Sequence, residues 1–170
     1  QISAEGAVLS VTHWNNDGVF VVNNANVAAS RIENTGTIQV LGIAGEGEQN
    51  SGANTVFTLD TRELINQGLL LTDAANWTIS NVRLNNQGGT IAHQGQGVLQ
   101  IDVVGTLNNN QGVINANSLV LNAGSLSNNA GQIVAVSPQA NMRLNVQNSI
   151  TNTTGLIGSA GGLNLSAGRL

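Results

Sequence analysis

Apolar and polar residues alternate in short runs along the chain. Leu99, Ile101 and Val103 are separated by Gln100 and Asp102, and Met142, Leu144 and Val146 by Arg143 and Asn145. Leu119 with Leu121, and Leu163 with Leu165, repeat the pattern over shorter spans. A period of two sends alternate side chains to opposite faces of a strand, one buried and one wet. No stretch carries an apolar stripe at the 3.6-residue period of a helix, and Asn and Gly recur too often to leave room for one. The pattern predicts an all-β chain.

A second motif punctuates these runs: apolar, any, Asn, two residues, Gly, any, apolar. It spans Leu84 to Ile91, Leu107 to Ile114, Leu126 to Ile133 and Ile150 to Ile157. Copies one residue shorter lie at Ile32 to Ile38 and Leu64 to Leu70, with a degenerate first copy at Trp14 to Phe20. The Gly anchors (Gly18, Gly36, Gly68, Gly89, Gly112, Gly131 and Gly155) follow one another at 18 to 24 residues, except for one step of 32. Repetition at a single period, without mirrored pairs, predicts coils wound in one sense, each strand beside its copy in the next coil. The architecture expected is a right-handed parallel β-helix of about seven or eight coils filling residues 1–170 as one segment. It is less regular over 1–60, and the long step predicts a loop insertion at 44–54. Asn86, Asn109, Asn128 and Asn152 are expected to stack as an amide ladder. Gly36, Gly68, Gly89, Gly112, Gly131 and Gly155 are expected to supply the positive φ of corners, which Asn also tolerates.

The composition agrees with such a coil. There are 26 Asn and 21 Gly, one Pro, two Phe, two Trp, no Tyr and no Lys, with 41% hydrophobic and 8% charged residues. Low charge with this apolar content argues against disorder, and a narrow coil fills with Leu, Ile and Val rather than rings. The net charge is −4 and the five Arg are scattered, so nucleic acid is a poor partner. No window approaches the roughly 18 consecutive apolar residues of a membrane span, so no membrane insertion is expected. The absence of Cys removes disulfides and thiolate metal sites.

The stretch LNNNQGVINANSLVLNAGSLSNNAGQIVA, residues 107–135, and GLNLSAGRL at 162–170 resemble the haemagglutinin repeats of filamentous-haemagglutinin-like exoproteins. That family includes two-partner-secreted adhesins and contact-dependent growth inhibition proteins. The resemblance covers residues 64–170 best. It implies a secreted, cell-surface rod, exported through an outer-membrane partner, that meets a receptor or glycan on a host or target cell or presents a distal effector. The Asn-Pro-Asn motifs of the family's secretion domain and the Val-Glu-Asn-Asn motif that precedes its toxin domains are both missing, which implies an internal shaft piece. A monomer without cofactor or catalysis is expected. The competing reading is a carbohydrate-active β-helix enzyme or a carbohydrate-binding module. An enzyme of that kind would cluster carboxylates on successive coils, whereas residues 103–170 carry only Arg143 and Arg169 as charges.

Few residues suggest chemistry. Asp60, Arg62 and Glu63 form the densest charge group and read as a solvated corner. Arg31 with Glu33, Asp73 and Asp102 read as isolated outward positions. His13 and His93 lack a second ligand at zinc spacing, and His93 is expected in a turn. Trp77 shares the parity of Ile79 and is expected inside a coil, while Trp14 is expected to cover the first coil. Glu46, Glu48 and Asn50, in the inserted loop, are the candidate recognition residues, because insertions on a rigid scaffold often carry binding.

Overall fold

The computed structural model describes residues 2–4, 6–42 and 56–170. Its strands are β1 (Ile2–Ala4), β2 (Ala7–Asn16), β3 (Val19–Asn23), β4 (Ala25–Asn34), β5 (Thr37–Leu41), β6 (Val56–Asn66) and β7 (Leu69–Thr72). There follow β8 (Asn76–Asn85), β9 (Thr90–Asn108), β10 (Val113–Ser127), β11 (Gln132–Ala135), β12 (Met142–Thr151), β13 (Leu156–Ser159) and β14 (Leu163–Arg169). Every described pairing is parallel. A row of short strands runs β1, β3, β5, β7, the start of β9, the start of β10, β11 and β13. A row of long strands runs β2, β4, β6, β8, the end of β9, the end of β10, β12 and β14. One short and one long strand make a coil, and each pairs with its copies one coil away. The chain is therefore a parallel β-solenoid of about seven turns, on the order of 35 Å along its axis at about 4.8 Å per turn. No helix among the described residues is long and apolar enough to cross a membrane.

Parallel register turns the alternation of each strand into columns that run the length of the stack. One column holds Ile32, Leu64, Leu84, Leu107, Leu126 and Ile150, begun by Trp14. A second holds Val27, Leu59, Ile79, Ile101, Leu121 and Leu144. A third, on the short strands, holds Phe20, Ile38, Leu70, Ile91, Ile114 and Ile133. All of these except Trp14 are buried. Trp77 lies at 0% exposure in the same core, stacked on Phe57 with centroids 5.2 Å apart. Trp14 is half-buried and meets Phe20 edge-on at 4.9 Å.

The anchor glycines serve a purpose other than the one expected. None of Gly36, Gly68, Gly89, Gly112, Gly131 and Gly155 has a positive φ; in the four-residue turns that role falls to the residue before, Gly88, Gln111, Ala130 and Thr154. What the anchors provide is closeness. A Cβ on Gly112, Gly131 or Gly155 would sit less than 3.0 Å from the backbone oxygen of Asn86, Asn109 or Asn128 in the preceding coil. The turn rests directly on the turn below, and only hydrogen fits between them.

Candidate functional site

The turns that demand glycine also carry the asparagines. Each Asn Nδ2 donates to the Oδ1 of the Asn one coil further on: Asn16 to Asn34 (2.7 Å), Asn34 to Asn66 (2.8 Å) and Asn66 to Asn86 (2.7 Å). The series continues from Asn86 to Asn109, Asn109 to Asn128 and Asn128 to Asn152, each at 2.7 Å. The same Nδ2 groups reach a backbone oxygen of the next coil, such as Gln132 from Asn109 (3.1 Å) and Leu156 from Asn128 (3.1 Å). Asn34, Asn66, Asn86, Asn109 and Asn128 are buried, and Asn152 is exposed. The shorter copies thus contribute Asn16, Asn34 and Asn66 to a ladder that the sequence motif assigns only to the four longer ones. This ladder holds the coils in register. It offers no free chemistry to a ligand.

The outer surface is more varied. Arg31 and Glu33, expected to be isolated, form a network across coils: Arg31 Nε donates to Glu33 at 2.5 Å, Arg31 Nη1 also pairs with Glu63, and His13 lies 3.5 Å from Glu33. Parallel register places His13, Arg31, Glu63 and Arg83 in one column. The Arg31 guanidinium holds the Glu33 carboxyl below its ordinary range. These groups are partly exposed, and such pairs contribute little to stability.

Asp60, Thr61, Arg62 and Glu63 lie within β6, not in a loop, at a place where the pairing with β4 and β8 skips Arg62 and where the later long strands bend at register shifts. Register shifts mark the bend between Asn81 and Leu84, between Ala123 and Leu126 and between Val146 and Ser149. Three depressions lie beside it. One is lined by Ser30, Arg62, Glu63, Val82 and Arg83; the next shares Arg62 and Val82 and reaches Asp102 and Val104; the third shares Asp102 and Val104 and extends to Asn122, Asn145 and Gln147. Neighbouring depressions share lining residues, so they follow one another as a shallow trough along the stack from β4 to β12.

One wall of the trough is a single column, Asp60, Ser80, Asp102, Asn122 and Asn145. Asp102 is not isolated, contrary to its appearance in sequence. Its Oδ2 accepts from Gln100 Nε2 (2.7 Å) and its Oδ1 from Asn122 Nδ2 (2.7 Å), and Asn145 Nδ2 then donates to Asn122 Oδ1 (2.9 Å). A carboxylate can only accept, so it sets the direction of this outer ladder, which opposes the inner one. Facing it are Val82 and Val104, 42% and 77% exposed. The column is signalled in the sequence, since each member lies six or seven residues before a ladder Asn.

His93 is inside β9 and buried, not in a turn. Its column neighbours are Thr72 below and Ala116 above, whose small side chains leave room for a ring. Nε2 donates to the Ala74 carbonyl at 2.8 Å, which leaves the neutral ring with a bare Nδ1. Burial pushes its pKa below 6.5, opposed by the Ala74 and Ala75 carbonyls and by Asp73. Nδ1 and the nearby Trp77 Nε1 have no hydrogen-bond partner among the described residues. No group of three His, Cys, Asp or Glu among the described residues could hold a metal. Glu46, Glu48 and Asn50, with the whole 44–54 insertion, lie outside the described residues. Comparison of the chain with family models, with curated proteins and with solved structures gives no match.

Proposed function

We propose that this chain is a shaft segment of a large secreted bacterial surface exoprotein of the filamentous-haemagglutinin-like kind, a non-catalytic rod that attaches a cell or presents a distal effector. The observation that supports the reading is the six-link Asn ladder, unbroken from Asn16 to Asn152. With the aliphatic columns beside it, the ladder makes each coil one repeat of a stiff shaft, and stiffness is what a spacer between two surfaces needs. Replacing residues 7–170 in the full-length exoprotein by a Gly/Ser linker of equal reach tests this. Such linkers behave as flexible coils, so attachment of producing cells to their targets should fall sharply while export continues. Attachment at the original level would sink the rod reading. A glycan-binding module is the second reading, and the trough along β4 to β12 favours it as an addition to the rod.

A further inference from the structure

We infer that the trough along the bend of the long strands is a binding site for a neutral, linear, extended oligosaccharide of the β-1,4-linked pyranose type. The inference builds on the rod reading by giving its shaft a ligand class. The shape comes first. The lining residues recur once per coil over β4, β6, β8, β9, β10 and β12. A ligand lying in the trough meets one polar residue of the wall column, Asp60, Ser80, Asp102, Asn122 or Asn145, about every 4.8 Å, close to the advance of one ring in an extended β-1,4-linked chain.

The chemistry selects among linear polymers. A peptide strand binds a sheet through free backbone groups at an edge. The trough is not a sheet edge: its wall column, Asp60, Ser80, Asp102, Asn122 and Asn145, pairs with the coil on either side, so that wall meets a ligand with side chains. An anionic polymer needs clustered cations, but here Arg62 and Arg83 are offset by Asp60, Glu63 and Asp102. What remains matches a neutral sugar. Asp60, Ser80, Asn122 and Asn145 present donors and acceptors for hydroxyls on one wall, and the exposed isopropyl groups of Val82 and Val104 present apolar surface for the ring C–H faces on the other.

The test titrates the 170-residue chain with cellohexaose, cellobiose, maltohexaose and a heparin hexasaccharide by calorimetry. Cellohexaose should bind at least about tenfold more tightly than cellobiose, because contacts accumulate along the trough, and more tightly than the curled maltohexaose; tenfold corresponds to about 1.4 kcal/mol. Val104→Asp and Val82→Asp, both at exposed positions, should each weaken cellohexaose about tenfold with the β-type circular dichroism spectrum unchanged. The inference is overturned by an absence of cellohexaose binding to the folded chain, by preference for heparin, or by affinity indifferent to length or to both variants. None of these outcomes bears on the linker replacement, so the ligand class can fail while the rod stands.

Discussion

At the scale of single residues, the turn Asn128 to Gly131 separates two properties that glycine usually combines. Ala130 holds φ 53°, where a Cβ is strained by about 1–2 kcal/mol, and Gly131 sits where a Cβ would strike the Asn109 carbonyl. Ala130→Gly should therefore stabilise the chain by about 0.5–1 kcal/mol, after the added chain entropy of glycine is subtracted, whereas Gly131→Ala should destabilise it. Urea unfolding of the two variants checks the pair, and a stabilising Gly131→Ala would refute the close-contact account. His93 yields a pH dependence. Burial favours its neutral form, so its folded pKa lies below the unfolded value of about 6.5. The unfolded chain then binds more protons between the two values, and stability is full above about pH 6.5 and declines as pH falls below it. His93→Gln keeps a donor for Ala74 without a titrating ring. The difference between wild-type and variant stability should change as pH falls through about 6.5; a constant difference would mean that folding leaves the His93 pKa where the unfolded chain has it.

At the scale of elements, the coil was legible where packing dictates two residue types at once. In the four longer copies the Asn must reach the next coil and the Gly must clear the coil below, so both recur at fixed spacing, and the alternation of Leu99, Ile101 and Val103 marks the inward face beside them. Other features were hidden because they exist only between coils of unequal length. His93 has the inward parity of Ile91, yet its neighbours Gln94 and Gly95 resemble turn residues; the space left by Thr72 and Ala116 appears only once the register is known. The trough was invisible for the same reason. Asp60 and Asp102 look unrelated along the chain, and their offsets from Asn66 and Asn109, six and seven residues, have meaning only when those asparagines stack. Energetically the columns and the ladder differ in kind. A buried Leu contributes by area, with truncation to Ala costing about 2–5 kcal/mol, while a ladder Asn contributes about 1 kcal/mol net and strands buried partners when removed. Burial holds the coils together, and the amides decide which residue sits above which.

At the scale of the whole molecule, stability is a sum over coils and their interfaces, so a coil can be removed if both ladders of contacts close again. Deleting residues 110–128 joins Asn109 to Asn129 and restores the motif Leu107, Asn109, Gly131, Ile133 across the junction. The shortened chain should keep its β-type spectrum, lose about 4.8 Å in length by X-ray scattering and show a smaller urea m-value; loss of the fold would refute the independence of the coils. The one-way ladder carries a further consequence. Backbone hydrogen bonds between parallel strands point alternately up and down the stack, and their dipoles largely cancel. The carboxamides from Asn16 to Asn152 all point the same way. If each resembles a peptide unit, at about 3.5 D, and hydrogen-bonded neighbours polarise one another, the ladder acts as a small internal battery. Its positive pole lies at Asn152 and its negative pole at Asn16, so the shaft has an electrical direction independent of its net charge. Anions should favour the Asn152 end, and two shafts meeting end to end should prefer to meet head to tail.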